Sequence, residues 1–159
     1  FSLLIIAQNE NDFNILSPDG SISLNVEAGT KLQWSVQHEG EQIIAPSSIA
    51  LQLQNGNILG NNAEVLSSKS ETVYDVIDAL FYKRATIQDQ YNLLTINFKN
   101  DFGVNFRVYN DAVAYQFFTT KKGELIIKNE EANFNFNDDK SFRFIIYYNI
   151  YVRSIFNWF

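Results

Sequence analysis

The chain contains no cysteine, no methionine, only two prolines and a single histidine, and it sets 12 basic residues against 18 acidic ones. The missing thiols exclude a disulfide framework, a thiol nucleophile and a thiolate metal site. A first residue other than Met is expected of a processed chain or of one part of a longer polypeptide. The shortage of basic residues gives a net charge of −6. Nucleic acid is a poor partner for such a chain, because phosphate contacts need clustered Lys and Arg. An anionic membrane surface is a poor partner for the same reason. No apolar run approaches the ~20 residues of a membrane-spanning helix. Charged residues make up only 19% of the chain, too few to coat the exposed faces of helices.

What the chain has in quantity is aromatic and β-branched side chains. Fourteen Phe, eight Tyr and two Trp suit a pleated, half-buried surface. At 159 residues one domain can bury roughly 68–70% of its unfolded surface without a metal or disulfide staple. The first residues, FSLLIIA, form an apolar run that ends in a small residue before polar QNEND. They read as the end of a signal-peptide apolar region cleaved after Ala7, with a first β-strand as the alternative. Residues 8–159 then form a single domain.

Turn signals recur at short intervals, as they do in a sandwich or barrel. SPDG (17–20) has Pro and Gly where a type I turn prefers them. Ile22, Leu24 and Val26 alternate with polar residues, and Leu32, Trp34 and Val36 repeat that period of two. HEG (38–40) reads as a three-residue hairpin loop. Pro46 is expected to break the next strand, and residues 57–71, rich in Asn, Ser and Gly, read as a long loop. The stretch 72–87 stays open between helix and edge strand, since Val73, Val76, Ile77 and Leu80 have helical spacing. Strands are expected again at 91–98, 104–110, 113–117, 124–128 and 132–137. The fold class is all-β, an antiparallel β-sandwich.

Candidate chemistry is sparse. His38 lies in a hairpin loop with no second His and no marked nucleophile. A glycosidase pair needs two carboxylates about 5–10 Å apart across a cleft. Glu130–Glu131 and Asp138–Asp139 are tandem pairs instead, and neighbours in a strand point apart. The run of Asn and Asp at 133–139 resembles oxygen ligands for Ca²⁺ but lacks the Gly and distant Glu of an EF-hand loop. Segment 145–159 concentrates Tyr147, Tyr148, Tyr151, Phe156, Trp158 and Phe159. Aromatic faces stack on sugar rings, so Tyr147, Tyr148, Asn149 and Trp158 are the candidate carbohydrate contacts. The alternative, preferred because the chain stops while still apolar, is a segment that packs on something beyond these residues.

The stretches FRVYNDAVAYQFF (106–118) and IIKNEEANFNF (126–136), with SPDGSISLNV and GEQIIAPSSIALQL upstream, resemble the N-terminal domain of glycoside hydrolase family 97. That family comprises bacterial α-glucosidases and α-galactosidases. The resemblance implies a β-super-sandwich of the galactose-mutarotase kind. It further implies a catalytic (β/α)8 barrel later in the same polypeptide as partner, an oligosaccharide substrate, and a periplasmic or secreted location. The catalytic carboxylates would lie on the barrel, so no catalytic residue and no cofactor is expected in this chain, with Ca²⁺ belonging to the full-length enzyme. The family's N-terminal Glu ligand to Ca²⁺ follows the segment matching Tyr147–Asn149, yet no Glu follows Glu131 here. Where the family shows Asp-Gly, this chain has Asp111–Ala112, so the hairpin turn is expected to shift by one residue. The remaining alternatives are a free-standing carbohydrate-binding module and, less in keeping with one histidine, a mutarotase-like enzyme.

Overall fold

A computed structural model describes residues 11–78 and 86–136. Among the described residues there are eleven strands and no helix. One sheet carries β1 (Asp12–Leu16), β2 (Ile22–Ala28), β3 (Leu32–His38) and β4 (Glu41–Leu53) in sequence order. β10 (Ile127–Ala132), β11 (Asn135–Phe136) and the short β5 (Ile58–Leu59) also pair with β4. The second sheet is a four-stranded meander of β6 (Val65–Asp78), β7 (Thr86–Phe98), β8 (Phe102–Val108) and β9 (Val113–Thr119). All pairings are antiparallel.

The period of two places one set of side chains between the sheets. Leu24, Val26, Leu32, Trp34, Val36 and Ile49 face inward from the first sheet. Leu94, Ile96, Val104, Phe106 and Val108 meet them from the second, all nearly inaccessible to water. Trp34 is the hub, with Phe106, Tyr115 and Phe134 within ring-centroid distances of 6.5, 5.8 and 5.5 Å. Phe134 and Phe136 share the inward side and close the core from the β11 end.

Several sequence expectations need correction. β4 does not stop at Pro46 but runs through it. Trp34 pairs with Ser47 and Val36 with Ile44, so Ala45 and Pro46 together oppose Ser35 in a bulge. A bulged residue has no ladder partner to lose, which is where a strand tolerates proline. The Gln42 amide donates to the Val36 and Ile44 carbonyls beside this irregularity, 3.1 and 2.6 Å away. The HEG loop is shorter than expected. His38 pairs with Glu41, leaving Glu39 and Gly40, both with positive φ (51° and 82°), as the type I′ turn of a two-residue hairpin.

The loop expected at 57–71 contains β5 and the first half of β6, and the open stretch 72–87 is strand on both sides of residues 79–85. β10 begins three residues later than the predicted 124–128 strand and runs to Ala132, while β11 is shorter than 132–137. In the β8–β9 hairpin Phe106 faces Tyr115, Val108 faces Val113 and Val104 faces Phe117. The turn is a four-residue loop, with the Tyr109 N–H donating to the Ala112 carbonyl at 2.8 Å. Neither Asp111 nor Ala112 is among the positive-φ residues. Ala112 therefore carries no positive-φ strain.

Candidate functional site

The expected carbohydrate contacts Tyr147, Tyr148, Asn149 and Trp158 lie outside the described residues, as do Asp138 and Asp139. The other candidates are placed. His38 stands exposed at the end of β3. Glu130 and Glu131 follow one another on β10 and engage different neighbours. The Tyr115 hydroxyl donates to Glu130 Oε1 at 3.1 Å. Glu131 Oε1 accepts from the Ser48 hydroxyl and from the Asn133 amide, with Lys31 Nζ at 3.6 Å. The Ser48 hydrogen bond, helped by Lys31, holds the Glu131 carboxyl below the usual carboxylate range. The two carboxylates are separate structural anchors and do not face each other as an acid–base pair.

The Asn run is likewise used by the fold. Asn133 Nδ2 donates to Ser48 Oγ at 2.8 Å, and Asn135 Nδ2 donates to the Pro46 carbonyl at 2.8 Å. The Asn135 N–H also donates to Ser47 Oγ at 2.9 Å, tying β11 to the bulge in β4. Among the described residues no three acidic or His side chains are grouped to hold a metal ion.

Two outer faces remain. On the first sheet, Asp12, Asn14, Asn25, Glu27, Gln33 and Ser35 line a shallow hollow of ≈ 520 Å³. Asn14 Nδ2 donates to Ser23 Oγ and Asn25 Oδ1 at 2.9 and 2.8 Å, and Phe13, Val26, Trp34 and Pro46 give the hollow an apolar share of its lining. On the second sheet, strand register assembles a cluster that sequence reading missed. Arg107 on β8 lies 4.4 Å over the Tyr91 ring, and Tyr91 and Tyr109 pack at 5.1 Å. Asp89 Oδ2 is 4.0 Å from the Arg107 guanidinium, and both side chains are largely screened from solvent (12% and 18% exposed). Burial pushes both tyrosine hydroxyls above their ordinary pKa. A desolvated cation over an aromatic face is worth up to about 2 kcal/mol. The only signal in the sequence was a lone Arg between alternating apolar residues, and Asp89 and Tyr91 reach it from β7 through strand register alone.

One end of the sandwich is fastened by the SPDG turn. The Gly20 N–H donates to the Ser17 carbonyl at 2.9 Å, closing the expected type I turn. Asp19 Oδ1 accepts from the Ser17 hydroxyl, the Ser21 N–H and the Ser21 hydroxyl. These bonds, that from Ser17 first, lower its pKa. The Asp19 N–H donates to Asn110 Oδ1 at 3.1 Å, joining the first sheet's turn to the β8–β9 loop.

These features define a two-sheet antiparallel sandwich whose described polar groups mainly fasten strands, turns and sheet faces. The chain belongs to the glycosyl-hydrolase 97 N-terminal family, whose profile matches residues 15–154. It is 33% identical over 132 residues to the retaining alpha-galactosidase of Bacteroides thetaiotaomicron, a match covering 83% of this chain and 20% of that protein. A Glycoside Hydrolase Family 97 enzyme from Pseudoalteromonas sp. strain K8, solved with acarbose, superposes with a TM-score of 0.71. The identity there is 18%, over 79% of this chain and 20% of that one. A beta-arabinopyranosidase superposes with a TM-score of 0.70 and 22% identity, over 78% and 21% of the two chains. The structural likenesses show the fold. The chain spans about a fifth of the length of the relatives it matches.

Proposed function

We propose that this chain is the non-catalytic N-terminal β-sandwich of a bacterial family 97 α-glycosidase, an α-glucosidase or α-galactosidase. In this reading it packs on a catalytic (β/α)8 barrel of the same polypeptide and forms one side of the oligosaccharide cleft. The carrying observation is the coverage. The family match takes in residues 15–154 of this chain, while the match to the retaining alpha-galactosidase it resembles takes in only 20% of that protein. The separate anchoring of Glu130 and Glu131 supports the reading, because hydrolysis of a glycosidic bond needs two carboxylates facing one bond.

Sugar contact from this chain is assigned to Tyr147, Tyr148 and Trp158, whose rings offer stacking surface, and to Asn149, whose amide can hydrogen-bond to hydroxyls. Calcium belongs in this proposal to the longer enzyme, with ligands supplied from outside the described carboxylates. A periplasmic or secreted location follows from the reading of residues 1–7 as a signal remnant.

The test is turnover of aryl α-glucoside and aryl α-galactoside by the purified chain. No hydrolysis above buffer is expected. Hydrolysis that disappears in Glu130→Gln or Glu131→Gln would refute the reading.

A further inference from the structure

β6 is the outermost strand of its sheet, and among the described residues its far side carries no partner. It is long, running from Val65 to Asp78, and has no proline. Residues 66–72 are all exposed, and Leu66, Tyr74 and Val76 are 67%, 73% and 61% exposed. An unpaired row of backbone N–H and C=O groups beside exposed apolar side chains is a template for another strand. Proteins usually blunt such edges with lysine, proline or a bulge. Here Lys69 is balanced by Glu71 on the same side of the strand, and the two are ion-paired. The one bulge lies between Val65 and Ser67, at the very start of the strand.

That arrangement is self-complementary. Antiparallel pairing of β6 with β6 of a second copy, about a two-fold axis at Ser70, sets each residue against a fixed partner. Lys69 falls opposite Glu71 of the second copy, and Glu71 opposite its Lys69. Ser68 meets Thr72, Ser67 meets Val73, and Leu66 comes beside Tyr74. Opposite charges and matched apolar pairs directly across an antiparallel ladder each stabilise it, by roughly 0.2–1 kcal/mol. The two-fold axis uses every such pair twice, as an isologous interface must.

We infer that the β6 edge is a homodimerisation site, joining two copies through a continuous eight-stranded sheet built from their four-stranded halves. The inference is independent of the glycosidase assignment, because it depends only on β6. A single strand pair buries less surface than a standard stable interface, so the association is concentration-dependent.

Sedimentation velocity on the purified chain over a wide concentration range tests it, with charge-swap variants at positions far from the core. Wild type is expected to shift from monomer toward dimer as concentration rises. Glu71→Lys sets lysine against lysine across the axis twice and should weaken the dimer about tenfold or more. Lys69→Glu should do the same with carboxylates. The double variant Lys69→Glu with Glu71→Lys restores the opposite-charge register and should recover the wild-type dissociation constant. A wild type that stays monomeric at the highest concentration overturns the inference. So does a dimer indifferent to Glu71→Lys, or a double variant no better than the single ones. Circular dichroism of each variant confirms that the fold is retained, and turnover assays remain a separate readout of the glycosidase reading.

Discussion

Phe106→Ala is the perturbation that most severely tests the two-sheet core. Phe106 is fully buried and, among the described residues, is the largest side chain with no measurable exposure. Its ring lies 6.5 Å from that of Trp34 on the opposite sheet and 6.2 Å from that of Tyr115 on the neighbouring strand. Truncation removes the transfer free energy of the ring and leaves a cavity between rigid sheets, together costing about 3–5 kcal/mol. Two aromatic pairs go with it, each worth about 0.5–1.5 kcal/mol beyond its area, which puts the expected loss near the upper end. Against a total stability of about 5–15 kcal/mol this is a large fraction. In a chain of this size it lowers the melting temperature by roughly 2–4 °C per kcal/mol. Phe118→Ala is the control. That ring lies on the outer face of the same sheet, half-buried, where a Cβ on Gly103 would come within 2.3 Å of it. Its removal should cost about 1–2 kcal/mol. Urea denaturation of both variants should show a shifted midpoint with an unchanged slope. A Phe106→Ala loss below about 1.5 kcal/mol, or one no greater than that of Phe118→Ala, refutes the sandwich core.

Two further outcomes follow from the polar anchors. Asp19 and Glu131 both have lowered folded-state pKa values. Their contribution is therefore complete above the unfolded carboxylate pKa of about 4 and is lost as pH falls through the lower folded values. Stability measured by denaturation should fall with decreasing pH in that window, and Asp19→Asn with Glu131→Gln should flatten the slope there. Arg107→Lys keeps the charge but loses the planar guanidinium over the Tyr91 ring. It should lower stability by about 1 kcal/mol, read as a midpoint shift at neutral pH.

Where one face of a strand is buried and the other wet, the fold was legible from the residues. β2 and β3 show this: Leu24, Val26, Leu32, Trp34 and Val36 mark the core side by period alone. Legibility failed where burial and strand identity part company. Residues 66–72 of β6 are exposed on both faces, so Ser-Ser-Lys-Ser-Glu-Thr carries no alternation, and only backbone pairing with β7 makes it strand. Pro46 misled because a bulge, which depends on the partner strand's register, removes the usual penalty. The Arg107 cluster was invisible for a related reason. Tyr91 and Asp89 lie on β7 and Arg107 on β8, and nothing short of the β7–β8 register brings them together. Conversely, the reading that tandem Glu130 and Glu131 would not cooperate rested only on strand geometry, and their separate partners agree with it.

The central claim is that this chain is the supporting sandwich of a longer family 97 glycosidase. Sequencing the reading frame beyond Phe159 tests it most directly. The account predicts an open frame continuing for several hundred codons into an alternating β/α barrel that carries the catalytic carboxylates. A stop codon directly after Phe159, with no barrel encoded in frame, would contradict it.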